Sequence, residues 1–236
     1  MALSSRERGS VIFYILIAIV AFAALSMAVT RSSRESATTI DREKSDLAAT
    51  EIFDYSNALR SSVQNMMIQG TKQNQLCFDN TSWGNTSFNY AACTNPKNKV
   101  FESTGGGAPV QHSITRNYLD NTYSSLPLAG IWYITSSMRI RGVGQDCDPN
   151  AACNDLTVVL TALKKEVCLS LNRKLGIEHP DTIPANASAM TPAPYIGVYN
   201  FDNDSVVTAT DLVGKRTGCF RDAAGPYTFY AVLAAN

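Results

Sequence analysis

The chain has 236 residues, with 20 Lys+Arg against 20 Asp+Glu and a formal net charge of zero. That balance leaves no basic field to capture nucleic acid, so nucleic-acid binding is set aside. Six cysteines, an even number, all lie after residue 76, which favours disulfides in an oxidising compartment over free thiols.

Residues Met1 to Gly9 are short and polar, with Arg6 and Arg8 as cations. From Val11 to Val29 follows VIFYILIAIVAFAALSMAV, an uncharged and mostly apolar run. At ~1.5 Å rise per residue it would extend roughly 28 Å as a helix, near the ~30 Å hydrocarbon core of a bilayer. The run therefore predicts a transmembrane helix, with the cysteines placing the N-terminus in the cytoplasm and the rest outside. It is longer than the ~7–15 residues of a secretory signal core.

Arg31 to Met67 reads as an amphipathic continuation of the same helix. Ile40, Leu47, Ala48, Ile52, Phe53, Tyr55, Leu59, Val63, Met66 and Met67 recur near the helical period. Gly70 is placed to cap its C-terminus. Thr71 to Gly107 turns polar and glycine-rich, and Gly105-Gly106-Gly107 reads as a flexible turn. It lacks the Gly-Lys-Ser/Thr ending of a phosphate loop.

The β-branched and aromatic stretch from Ala129 to Gly144 predicts a core strand. Asp155 to Leu175 predicts a second helix, with Leu156, Val159, Leu160, Leu163, Val167, Leu171 and Leu175 on one stripe, Asn154 as N-cap and Gly176 as stop. Prolines at 180, 184, 192 and 194 mark a surface connection. Strands are expected at Tyr195–Phe201, Ser205–Thr210 and Tyr227–Leu233.

Six cysteines allow 15 connectivities. Loop-closure entropy favours the neighbouring pairs Cys77/Cys93 and Cys147/Cys153 together with Cys168/Cys219. Asp146, Asp148 and Asn150 alternate as calcium ligands do, which makes this loop a candidate calcium site. Ala151 at position six and Thr157 at position twelve exclude an EF-hand. His112 and His179 sit in no catalytic or metal-binding spacing, so no enzymatic activity and no other cofactor is expected.

Arg6-Glu7-Arg8-Gly9, followed by the apolar run and the amphipathic helix, resembles the N-terminus of type IV pilin-like proteins, in particular minor pilins and minor pseudopilins of type II secretion. The resemblance implies a leader, residues 1–9, removed by a prepilin peptidase between Gly9 and Ser10, with methylation of the new N-terminus. It implies a transmembrane and filament-core helix over 10–30, with Val11, Ile12, Phe13, Tyr14, Ile15, Leu16 and Ile17 leading it. An amphipathic half would follow over 31–70 and an extracytoplasmic α+β head over 71–236.

The expected fold class is thus α+β: a long N-terminal helix, apolar then amphipathic, packed on a small antiparallel sheet with a second helix and disulfide loops. The mature chain would start with Ser10 where the family has Phe or Met, and Tyr14 replaces the usual Glu at the fifth mature position. The missing carboxylate, which normally pairs with a neighbour's amine, points to a minor subunit.

The implied partners are other pilin-like subunits, the peptidase and the inner membrane, with a single pass and a periplasmic head, then a pilus or pseudopilus. The rival class is a permanently anchored extracytoplasmic sensor, binding or enzyme domain.

Overall fold

A computed structural model describes residues 7–79, 93–144, 154–177, 182–191, 193–197 and 205–235, with the side chains of 7–12 and 28–40 set apart. The chain divides into two compact units, Met1–Lys44 and Ser45–Asn236. Helix α1, Glu7–Ile68, contributes to both, and its two portions are taken separately.

In the first unit the described apolar side chains of α1 are residues 13–27. Among the described residues no helix is long and apolar enough to cross a membrane. This corrects the transmembrane half of the expected fold class, and with it the single-pass placement in the inner membrane.

The second unit is an α+β fold around one five-stranded sheet in the order β3-β1-β2-β5-β4. Its strands are β1 Tyr133–Ile140, β2 Asp155–Leu163, β3 Ser205–Val207, β4 Thr217–Arg221 and β5 Tyr227–Ala234. Pairs β1/β2, β2/β5 and β4/β5 are antiparallel, but β1/β3 is parallel. The sheet is therefore mixed, a further correction to the expected antiparallel head.

Residues of α1 from Ser45 onward pack on one face of this sheet. Ala48, Ile52, Tyr55, Leu59, Val63 and Met66 recur three or four apart and are buried with Trp132, Ile134, Val158, Leu160 and Phe229. Each large side chain so buried contributes roughly 1.5–3 kcal/mol. Tyr55 meets Trp132 at 4.8 Å between ring centroids, and Trp132 meets Phe229 edge-on at 6.2 Å. Leu47 falls outside the stripe and is exposed. The helix ends as expected at Gly70, whose φ of 99° allows Thr71 N–H to reach the Met66 carbonyl in a Schellman turn.

The opposite face has a core of its own, with Met138, Ile140, Val159, Val207, Phe220, Tyr230 and Val232. Burial on both faces explains the largest misreading of the sequence. The expected helix over 155–175 is β2 followed by α2, Lys165–Lys174. A strand apolar on both sides loses its alternation and can imitate a helical stripe over a short span. Thr157, Val158, Val159 and Thr161 supply the β-branched bias that the stripe masks. Gly176 does end α2: it lies at φ 61°, and Ile177 N–H bonds back to the Asn172 carbonyl at 3.1 Å.

Both outer edges of the sheet are covered, which removes templates for strand pairing. On β4 the side chain of Asn172 donates to the Cys219 carbonyl at 2.8 Å and accepts from its N–H at 2.9 Å. Further along, Arg221 N–H bonds to the Pro184 carbonyl and Asn186 N–H to the Arg221 carbonyl. The Asn186 side chain then turns to β3, donating to the Val206 carbonyl at 3.2 Å and accepting from Thr208 N–H at 2.9 Å. One asparagine thereby ties the two edge strands to a common segment.

The expected strand Tyr195–Phe201 is not found in its described part. Instead Tyr195 N–H bonds to the Ile134 carbonyl and the 193–194 backbone lies against Thr135 and Ser137. Proline, which lacks an N–H, suits such an isolated contact better than a ladder. The three glycines at 105–107 form a packed turn rather than a flexible one. Gly106 N–H donates to the Lys99 carbonyl and Ala108 N–H to that of Val100, so a Cβ at Gly105 or Gly106 would meet backbone.

Candidate assembly site and disulfide framework

Helix formation in the first unit follows from a run free of Gly and Pro, in which every described side chain from 13 to 27 is exposed. Phe13 is 62 %, Tyr14 68 % and Phe22 74 % accessible, and Ile15, Leu16 and Ile17 are exposed as well. A soluble helix normally hides one apolar stripe; this one presents apolar groups in every direction. The Phe13 and Tyr14 rings meet edge-on at 6.4 Å. Ser26 satisfies its hydroxyl on the Phe22 carbonyl at 2.9 Å, so the surface has few polar interruptions. Gly9, Ser10, Val11 and Ile12 fall within α1, and their side chains lie outside the described residues.

Among the described residues two disulfides bind the second unit, Cys77–Cys93 and Cys168–Cys219, both as loop closure favoured. Cys147 and Cys153 lie outside the described residues, as do the candidate calcium ligands Asp146, Asp148 and Asn150. Asp79 lies 2.8 Å from Cys93 Sγ and pairs with Lys99 Nζ at 3.0 Å. Cys77, Asp79 and Cys93 cluster within 4.8 Å. With the two sulfurs bonded to each other, one carboxylate remains, too few donors for a metal.

Cys168–Cys219 fastens α2 onto β4 next to the Asn172 bracket. Asp46, on α1, accepts from the Ser170 hydroxyl and pairs with Arg173 at 3.4 Å, joining α2 to α1. Arg60 is the residue that the sequence pattern misses. Its guanidinium donates from Nε to the Val232 carbonyl at 2.8 Å and from Nη2 to Thr217 Oγ1 at 2.6 Å, tying α1 to the last two strands. Desolvation and then the nearby Arg216 charge lower its pKa. A single charge on an amphipathic helix carries no sequence signal that its partners are carbonyls across the fold.

Burial pushes the Tyr55 hydroxyl up to about 12, against a smaller opposing effect of the hydrogen bond that its oxygen accepts from Gln111 N–H at 3.2 Å. Burial does the same to Tyr133, also to about 12. Tyr55 sits in the packing between helix and sheet, whereas Tyr133 lines a cavity beside Val159.

No protein-family model, curated protein or solved structure matches this chain.

Proposed function

We propose that the chain is a pilin-like structural subunit of the minor type, acting by assembly and contact rather than by a reaction of its own. The observation that carries this reading is the exposed, mostly apolar surface of residues 13–27. Such a surface is stable only against other apolar groups, and a bundle of like helices supplies them. A disulfide-tied head with both sheet edges covered fits the same division of labour. Strand exchange has no free edge to use among the described residues, which leaves the helix to make the subunit contacts. Tyr14 brings no carboxylate to that bundle, so this subunit suits positions where no neighbouring amine needs a counter-charge.

The test is mass spectrometry of the N-terminus after expression with a prepilin peptidase. Cleavage between Gly9 and Ser10 with one added methyl group is the expected result. A chain that keeps Met1 in the presence of an active peptidase overturns the reading.

A further inference from the structure

A cavity of about 290 Å³ opens on the sheet face opposite α1, between β1, β2, β5 and the loops at 126–128, 190 and 222–226. Its walls are apolar, with Leu126, Ile131, Val159, Met190 and Pro226 among them. It is pre-formed, because the buried Asp222 holds two sides of the rim. One carboxylate oxygen accepts from Met190 N–H at 3.0 Å and the other from Ala224 N–H at 2.8 Å. The turn is closed again by Asp222 N–H on the Pro226 carbonyl and Gly225 N–H on the Asp222 carbonyl, both at 2.9 Å.

Tyr133, Thr161 and Thr228 bring hydroxyl-bearing side chains to the lining of this cavity, and the two threonines meet. Thr161 Oγ1 and Thr228 Oγ1 lie 3.1 Å apart, and Thr228 is 2 % exposed. Two hydroxyls carry two protons, and the bond between them uses one. The other is left to donate into the cavity, where a ligand oxygen can accept it in place of solvent. The lining contains no cation, and its carboxylate is already engaged, so a charged ligand gains nothing there.

We propose that this cavity binds a small uncharged molecule, mostly apolar, with one carbonyl or ether oxygen that accepts from the threonine pair. At ~30 Å³ for each water-sized volume, the space suits about ten non-hydrogen atoms. An apolar, pre-formed pocket with a few placed polar groups is the usual form of a small-ligand site.

Acetophenone is the probe, and ethylbenzene, of like shape but without the oxygen, is the control. The full chain is labelled at its methionine methyl groups, and the Met190 signal is followed by NMR during titration. Acetophenone should shift it saturably with a dissociation constant below about 1 mM. Ethylbenzene should bind about fivefold more weakly, the worth of one hydrogen bond. Thr161→Val combined with Thr228→Val removes both donors and should bring the two probes within about twofold, whereas either single variant keeps one free hydroxyl proton and should keep most of the preference. No saturable shift at Met190, or equal affinity for the two probes in the unaltered chain, overturns the proposal.

Discussion

The side-chain amide of Asn172 pairs with both backbone groups of Cys219, at 2.8 and 2.9 Å, as a neighbouring strand would. Both residues are fully buried, and the disulfide from Cys168 reaches the same strand position one turn earlier on α2. Asn172→Leu would leave a buried N–H and a buried carbonyl unpaired, at about 1–3 kcal/mol each. Urea denaturation should register a loss of about 2–5 kcal/mol. Asn172→Asp keeps the acceptor and removes the donor, and should fall between that variant and the native chain.

The two disulfides should differ in worth. Their separations are 51 residues for Cys168–Cys219 and 16 for Cys77–Cys93. Loop entropy then assigns about 4 kcal/mol to the first and about 3 to the second. Paired alanine substitutions, compared by thermal denaturation, should lower the midpoint more at Cys168/Cys219. There the α2 cover of the β4 edge loosens as well.

Tyr55 makes stability fall at alkaline pH. Its folded pKa of about 12 lies above the ordinary 10, so its contribution is fully present below pH 10 and is lost as pH rises through 12. Between these limits the unfolded chain binds fewer protons, and stability drops by about 1.4 kcal/mol per pH unit from this group. Tyr55→Phe should flatten part of the decline in unfolding free energy measured from pH 9 to 12. Tyr133, raised likewise, accounts for a comparable share.

Arg60 bonds to the Val232 carbonyl and the Thr217 hydroxyl from across the core. Replacing it by Met retains the aliphatic stem and leaves those acceptors without their donor. A loss of about 1–3 kcal/mol is expected in denaturant unfolding. Lys at this position should recover only part of it, because an ammonium cannot fork to two acceptors in one plane.

Residues that face one core were legible from sequence, and residues that face two were not. Ala48, Ile52, Tyr55, Leu59 and Val63 sit on a helix with one buried side, so their spacing reports their environment. Leu156, Val158, Val159 and Leu160 divide between cores on both sides of β2, and their spacing then reads as a helical stripe. Strand β4 escaped notice because it is short and Gly218 and Arg221 are poor strand signals, and its place is held by Cys168 and Asn172 from a distant helix. The membrane-spanning expectation rested on the length of the apolar run, whereas among the described residues no helix is long and apolar enough to cross a membrane. In the candidate site, the exposed residues from Phe13 to Ile17 were nameable from their apolar character alone. The Asp222 rim reaches across 32 residues to Met190 and the Thr161–Thr228 pair across 67, which no local pattern encodes.

Photocrosslinking tests the central claim most directly, with benzoylphenylalanine in place of Phe22 in the full chain, irradiated in cells and the adducts mapped by mass spectrometry. Assembly through the apolar helix predicts adducts to residues within the apolar N-terminal helix of another pilin-like subunit, and their loss when Ile17 is changed to Asp. Adducts to lipid alone, or protein adducts that persist unchanged in the Ile17→Asp variant, would contradict it.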